Sequence, residues 1–249
     1  MVKLSVFIKK DTFISMMASV IEGFKHEVGG LLFGDYRTSR KRKRREIILK
    51  QASVLQTTKR SLYSVHFHPK RTDRVEDLWD NLSTYWPVGH FHSHPESKGY
   101  EPSPEPSDPD MTTIQKGEIE LIIAIWEAKK RNQLEYIRRH TWISGAIGKY
   151  YIQLATWYLD EENYVIPAET HCPYINVMNL GYETGLVRRP GGLFEPDTFV
   201  KPGLLKKLQR KINHYDNYAM NNGERAARHI LREIEDILEQ IREENKRYY

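Results

Sequence analysis

Apolar residues recur along this chain with two different periods, and the switches between them mark out its elements. In residues 11–24 the positions Phe13, Ile14, Met17, Val20, Ile21 and Phe24 form a helical stripe, with Asp11 as N-cap and Gly23 near the end. Residues 28–33, 47–55 and 63–68 read as strands, and 72–82 as a helix capped by Thr72 or Asp73. A strand follows over 88–94, Ser107 opens a short helix running towards Gly117, and 121–126, 134–143 and 150–159 read as three further strands. Interleaved helices and strands predict an α/β or α+β fold with a largely buried sheet. Residues 166–200 are rich in Pro, Gly and aromatics without clear period, as in an ordered linker or a surface-hugging segment. Helical spacing returns after Pro202. There Ala227, Ile230, Ile234, Ile237 and Ile241 make a short seam that suits packing on the chain's own domain, or on a second chain or partner helix. The predicted organisation is therefore a domain over 1–162 and a linker with a helical extension over 163–249.

Composition narrows the classes. With 249 residues and 39% hydrophobic content, the chain can bury one substantial core and an accessory region. Its single cysteine, Cys172, excludes an intramolecular disulfide and a multi-cysteine zinc cluster, and fits a reducing compartment. The first residues alternate apolar positions with Lys3, Lys9 and Lys10, unlike a secretory signal. No run approaches the roughly eighteen apolar residues a membrane span requires, so a cytoplasmic location is expected. Much of the formal charge of +5 sits in the block Arg40-Lys41-Arg42-Lys43-Arg44-Arg45. That block reads as a solvated hairpin tip between two apolar stretches, or as a contact for nucleic acid or an acidic surface. Nucleic acid is not the expected partner, because no groove-reading motif accompanies the block.

The chemistry concentrates in His92-Ser93-His94-Pro95 and Ser107-Asp108-Pro109-Asp110. Histidines two apart on a strand share one face, so both rings can reach one ion. A carboxylate returning from a later segment completes a set of N, N and O ligands with an open fourth position, as in catalytic zinc sites. Such a centre also needs a base for its water. Glu27 heads the apolar run from Val28 to Gly34, and from that strand's start it can reach a metal on a neighbouring strand; alternatively it is an exposed acid at a helix-to-strand junction. Three other features compete. His66-Phe67-His68-Pro69 repeats the HxHP pattern, but no Ser-x-x-Asp follows at useful distance. His90 shares the strand of His92 and suits an outer position. Cys172 reads as a small buried apolar residue.

Taken together, His26-Glu27-Val28-Gly29-Gly30-Leu31-Leu32-Phe33-Gly34, Val88-Gly89-His90-Phe91-His92-Ser93-His94-Pro95 and Pro106-Ser107-Asp108-Pro109-Asp110 resemble the JAMM motif of the catalytically competent MPN-domain metalloproteases, over about residues 1–160. The resemblance implies a cytidine-deaminase-like MPN domain, a central mixed sheet flanked by helices, with a helical C-terminal extension. It implies zinc on His92, His94 and Asp110, Glu27 as the base, and Ser107 supporting the oxyanion of a tetrahedral intermediate. Ser107 also suits a helix N-cap, and the two roles are compatible. The implied reaction is hydrolysis of the isopeptide bond between a ubiquitin-like modifier and a lysine, so conjugates of such a modifier are the implied partners. The chain departs from the motif in one respect. Fifteen residues separate His94 from Asp110, more than the family's interval, whose strict count falls on Glu105 with Pro102 in the serine's place. An insertion between Glu96 and Pro106, stiffened by Pro102, Pro104 and Pro106, keeps Asp110 as the ligand; Glu105 and Asp108 are the alternatives. The inserted loop, beside the expected cleft, suits a gate or a contact for the modifier. Two other function classes stand beside the protease: an MPN scaffold that binds partners without turnover, and a metal-dependent hydrolase held on nucleic acid by residues 40–45.

Overall fold

The computed structural model describes residues 4–39, 44–55, 59–60, 65–66, 69–82, 85–97, 101–130, 133–183 and 202–246. In chain order these form β1 (Leu4–Ile8), α1 (Lys10–Glu22), β2 (Gly29–Ser39), β3 (Arg44–Val54), β4 (Lys59–Arg60), β5 (Val65–His66), α2 (Pro69–Leu82) and β6 (Trp86–Pro95). After α3 (Asp108–Thr113) come β7 (Ile119–Glu127), β8 (Gln133–Ile137), β9 (Trp142–Ile147), β10 (Tyr150–Leu159), β11 (Val165–Pro167) and β12 (Glu169–His171). The helices α4 (Tyr174–Glu183), α5 (Pro202–Asn222) and α6 (Arg228–Lys246) close the chain.

The strands run β12-β1-β3-β2-β6-β7-β10-β9-β8, with β11 paired to β10 off that path, in a mixed sheet that curls into a half-barrel. Among the described residues, only β1 with β3, β1 with β12, and β6 with β7 pair in parallel. The curl has local causes. Register shifts at Phe33/Gly34 against β3 and at Leu32/Phe33 against β6 increase strand twist. Gly89 in β6 holds φ +141°, and a Cβ there would meet the Ile119 carbonyl oxygen at 1.9 Å, so only glycine allows β6 and β7 to approach so closely. A strap then draws the sheet round: β11 folds back antiparallel on β10, and β12 continues across to β1. Leu4 N donates to Tyr158 Oη at 3.4 Å, tying β1 to β10.

This corrects the helix-flanked central sheet implied by the MPN resemblance. The physical reason lies in the order of elements. Between Ile119 and His171 six strands follow one another with no helix among the described residues, so no helix there covers the sheet as a separate layer. Upstream, α3 has six residues and none of them is buried. The side chains of α2 cover a small cluster, Leu31, Phe33 and Leu55, through Val75 and Trp79.

One apolar cluster joins strand residues such as Leu32, Leu49, Phe91, Leu121, Ile123 and Leu154 to Phe13, Met16 and Val20 of α1. It also takes in Ala227, Ile230, Ile234, Ile237 and Ile241, each at most 2% exposed. The seam predicted in the C-terminal segment is therefore buried within the chain's own apolar cluster, with α6 packed on α5 and α4. No helix among the described residues is long and apolar enough to cross a membrane.

Several local expectations change. The first helix is capped from Lys9 without a side-chain bond, and Asp11 lies inside its first turn. The strand expected over 134–143 breaks into β8 and β9 around Arg138, Arg139 and His140, all at positive φ. The segment expected as a linker begins with β11, β12 and α4. The expected strand over 63–68 is represented by β5, paired with β4. Residues 40–43 of the basic block lie outside the described residues; Arg44 begins β3 and pairs with Glu169.

Candidate metal centre

β6 lies inside the sheet, paired antiparallel with β2 and parallel with β7. Its period of two puts His92 and His94 on one face, and their ring centroids lie 4.9 Å apart. His92 Nε2 and His94 Nε2 come within 3.0 Å of each other. Asp110, in the first turn of α3, brings Oδ1 to 3.4 Å from His92 Nε2 and Oδ2 to 3.4 Å from His94 Nε2. These three residues form a group that could hold a metal ion.

The spacing fits a small ion. Tetrahedral bonds of about 2.0–2.1 Å require ligand atoms about 3.3 Å apart. The two Nε2 atoms lie 3.0 Å apart, near that requirement, and the Asp110 carboxylate offers a different oxygen to each, Oδ1 to His92 and Oδ2 to His94, at 3.4 Å. The outward-facing nitrogens fit as well. His92 Nδ1 lies 2.7 Å from Glu120 Oε1, and His94 Nδ1 lies 2.8 Å from the Ser103 carbonyl oxygen. With Nδ1–H donating to these acceptors, each Nε2 turns its lone pair inward.

Charge points the same way. Burial opposes a charge on His92, but hydrogen bonds to Asp110 and Glu120 outweigh it and raise its pKa to about 10. Burial alone would raise the Asp110 pKa, yet His92, His94 and Ser107 together hold its carboxyl well below the usual carboxylate range. Two carboxylates around two imidazoles thus favour a positive charge at their centre, supplied in the metal-free protein by a proton.

Ser107 caps α3. Its hydroxyl donates to Asp110 Oδ2 at 2.6 Å, its backbone N donates to the same oxygen at 2.8 Å, and Asp110 N donates to Ser107 Oγ at 3.4 Å. This reciprocal capping box fixes the ligand's rotamer. Glu27 is 8% exposed. Ser93 N donates to the Val28 carbonyl at 2.8 Å, and Val28 N donates to Ser93 Oγ at 2.9 Å. β2 pairs with β6 from Gly29 opposite His92, so Glu27, two residues before that pair, lies near the end of β6 that carries His94.

The other expected positions separate clearly. Glu105 turns away to Arg138 at 3.0 Å, and Asp108 is exposed at the start of α3, so Asp110 is the residue that joins the histidines. His90 lies 3.8 Å from Glu118, outside the three-residue group. Residues 67 and 68 of the second HxHP lie outside the described residues. Cys172 is fully buried, and burial pushes its thiol pKa well up. Two participants were missed in the sequence, Glu120 and the Ser103 carbonyl. Glu120 left a signal, a lone carboxylate near the start of an otherwise apolar strand, Ile119 to Trp126. Ser103 left none, because a backbone acceptor has no side-chain signature.

No family model matches the chain, and no curated protein matches it. Among solved structures, it is similar to the solution structure of a protein from Desulfitobacterium hafniense, with TM-score 0.44 and 18% identity over 67% of this chain and 92% of that one.

Proposed function

We propose that this protein is a zinc-dependent hydrolase that cleaves the amide bond between the C-terminus of a ubiquitin-like modifier and a lysine. This is the chemistry implied by the JAMM-like motif, carried on a curled sheet. The observation that most supports it is the convergence of His92 Nε2, His94 Nε2 and the Asp110 carboxylate, with Glu27 buried just before the strand that pairs with β6. An N, N, O donor set suits zinc. When bound, zinc supplies a Lewis acid that lowers the pKa of a water and polarises a carbonyl. The Glu27 carboxylate accepts the proton of the attacking water and returns it to the departing lysine amine. Ser107 serves first to hold Asp110, since its hydroxyl proton already lies on that carboxylate.

The test is incubation of the zinc-loaded protein with fusions of ubiquitin-like modifiers to lysine-bearing peptides. Release of the modifier's free C-terminus is expected. Glu27→Gln should lower turnover by about 10²–10⁴-fold while zinc content stays unchanged. Bound zinc with no cleavage of any fusion would overturn the proposal in favour of a binding scaffold. Zinc-dependent cleavage of DNA or RNA instead would overturn it in favour of the nucleic-acid reading.

A further inference from the structure

We infer that Trp157 is a positioning residue for the metal centre, acting through the proline-rich segment 102–104 on His94. The inference rests on the metal-binding part of the proposed function. His94 can present Nε2 steadily only if the acceptor of its Nδ1 is itself fixed, and that acceptor is a loop carbonyl, Ser103 O, at 2.8 Å. Pro102 and Pro104 flank Ser103, and both are buried. Pro104 restricts Ser103 to extended backbone and has its own φ locked, so the Ser103 carbonyl has little freedom once Pro104 is anchored. The anchor is Trp157 Nε1, which donates to the Pro104 carbonyl at 2.7 Å from β10. A second tie, Glu105 to Arg138 at 3.0 Å, has both side chains more than half exposed and contributes little.

The register gives this chain of contacts its significance. Trp157 on β10 pairs directly with Glu120 on β7. Residues opposite one another in an antiparallel ladder share a face. One cross-strand pair therefore serves both imidazoles: Glu120 holds His92 directly, and Trp157 holds His94 through Pro104 and Ser103. Over residues 101–106 the loop expected as a gate is thus an arm hydrogen-bonded to the sheet through Pro104.

Trp157→Phe keeps an aromatic ring in place and removes the N–H. Cobalt(II) titration of the full chain reports affinity, and the visible absorption of the bound cobalt reports ligand geometry. The expected result is an altered spectrum and a loss of affinity of up to about tenfold, the low end of the range for removing a ligand's own hydrogen-bond partner, because Trp157 acts on that partner and not on His94. Arg138→Ala, which breaks the exposed tie in the same loop, should leave both readouts near wild type. A merely structural role for Trp157 would lower thermal stability without changing the spectrum. If Trp157→Phe does not fold, Pro104→Gly loosens the same link with Trp157 intact and should weaken cobalt binding in the same sense. Wild-type affinity and spectrum in the variant would overturn the inference and leave the metal centre standing. Failure of the wild-type protein to bind cobalt would overturn the metal centre itself, and the inference with it.

Discussion

The two halves of the candidate metal centre are built in different ways. His92 and Glu120 belong to neighbouring parallel strands inside the sheet, and each is 6% exposed. His94 depends on a loop carbonyl, and Asp110 stands on a six-residue helix with no buried residue of its own. The side chains of His94 and Asp110 are 17% and 20% exposed. The sheet half is fixed by ladder hydrogen bonds and packing, so its geometry is present before any ion arrives. The loop half is fixed by individual hydrogen bonds and prolines, any one of which can be removed without unfolding the sheet. Perturbations of the two halves should accordingly differ in size.

The largest effect is expected from protons, acting on the sheet half. In the metal-free protein His92 holds its proton up to about pH 10, because Asp110 and Glu120 outweigh the effect of burial. A metal must displace that proton, so affinity should rise about tenfold per pH unit, roughly a hundredfold between pH 6 and 8. Competition titrations across that range measure the slope, and a flat profile would mean that His92 is neutral without metal. Stability has the opposite sign. A pKa raised above the unfolded value of 6.5 contributes stability that is fully present below pH 6.5 and is lost as the pH rises through about 10.

Next in size is Glu120→Gln. The amide keeps a hydrogen-bond acceptor for His92 Nδ1 but removes the negative charge beside the ring. Metal affinity should fall by about 10–100-fold. The pH slope should flatten at the same time, since the proton on His92 loses one of its two carboxylate partners. A lower affinity with an unchanged slope would show that Glu120 orients the ring without setting its charge.

The same division explains what could be read from the sequence. His92 and His94 were legible because a strand's period is local, and Ser107 with Asp110 because a capping box spans four residues. Glu120, Ser103 and Trp157 depend on which strands become neighbours. The alignments of His90 with Glu120 and of Glu120 with Trp157 are set by long-range pairing that no local pattern encodes. The half-barrel was hidden for a related reason. Its closing strap, β11 and β12, totals six residues within a stretch whose Pro and polar content resembles a linker. The turn that splits β8 from β9 reads Arg138-Arg139-His140-Thr141, with none of the Gly, Asn or Asp that usually announce positive φ. The C-terminal seam was visible as a pattern, but its partners, α5 and α4, come from a segment the sequence left partly without period.

The smallest effect is expected in the loop half, from Ser107→Ala, which also separates two roles for one hydroxyl. The substitution removes the bond from Ser107 Oγ to Asp110 Oδ2 and the bond that Oγ accepts from Asp110 N, but leaves the backbone N donating to Oδ2. Asp110 therefore keeps part of its restraint. Loss of an N-cap costs about 1 kcal/mol, equivalent to roughly a fivefold change if all of it falls on metal affinity. If Ser107 acts only by holding Asp110, affinity should drop by about that factor, and turnover at saturating zinc should change little. If the hydroxyl instead leaves Asp110 to stabilise the oxyanion, zinc affinity should barely change while kcat falls by about 10²–10³-fold, as for loss of an oxyanion donor. Measuring zinc affinity and kcat on the same variant distinguishes the two. The short bond to Oδ2 favours the first outcome, because a hydroxyl has one proton and here it already lies on the ligand.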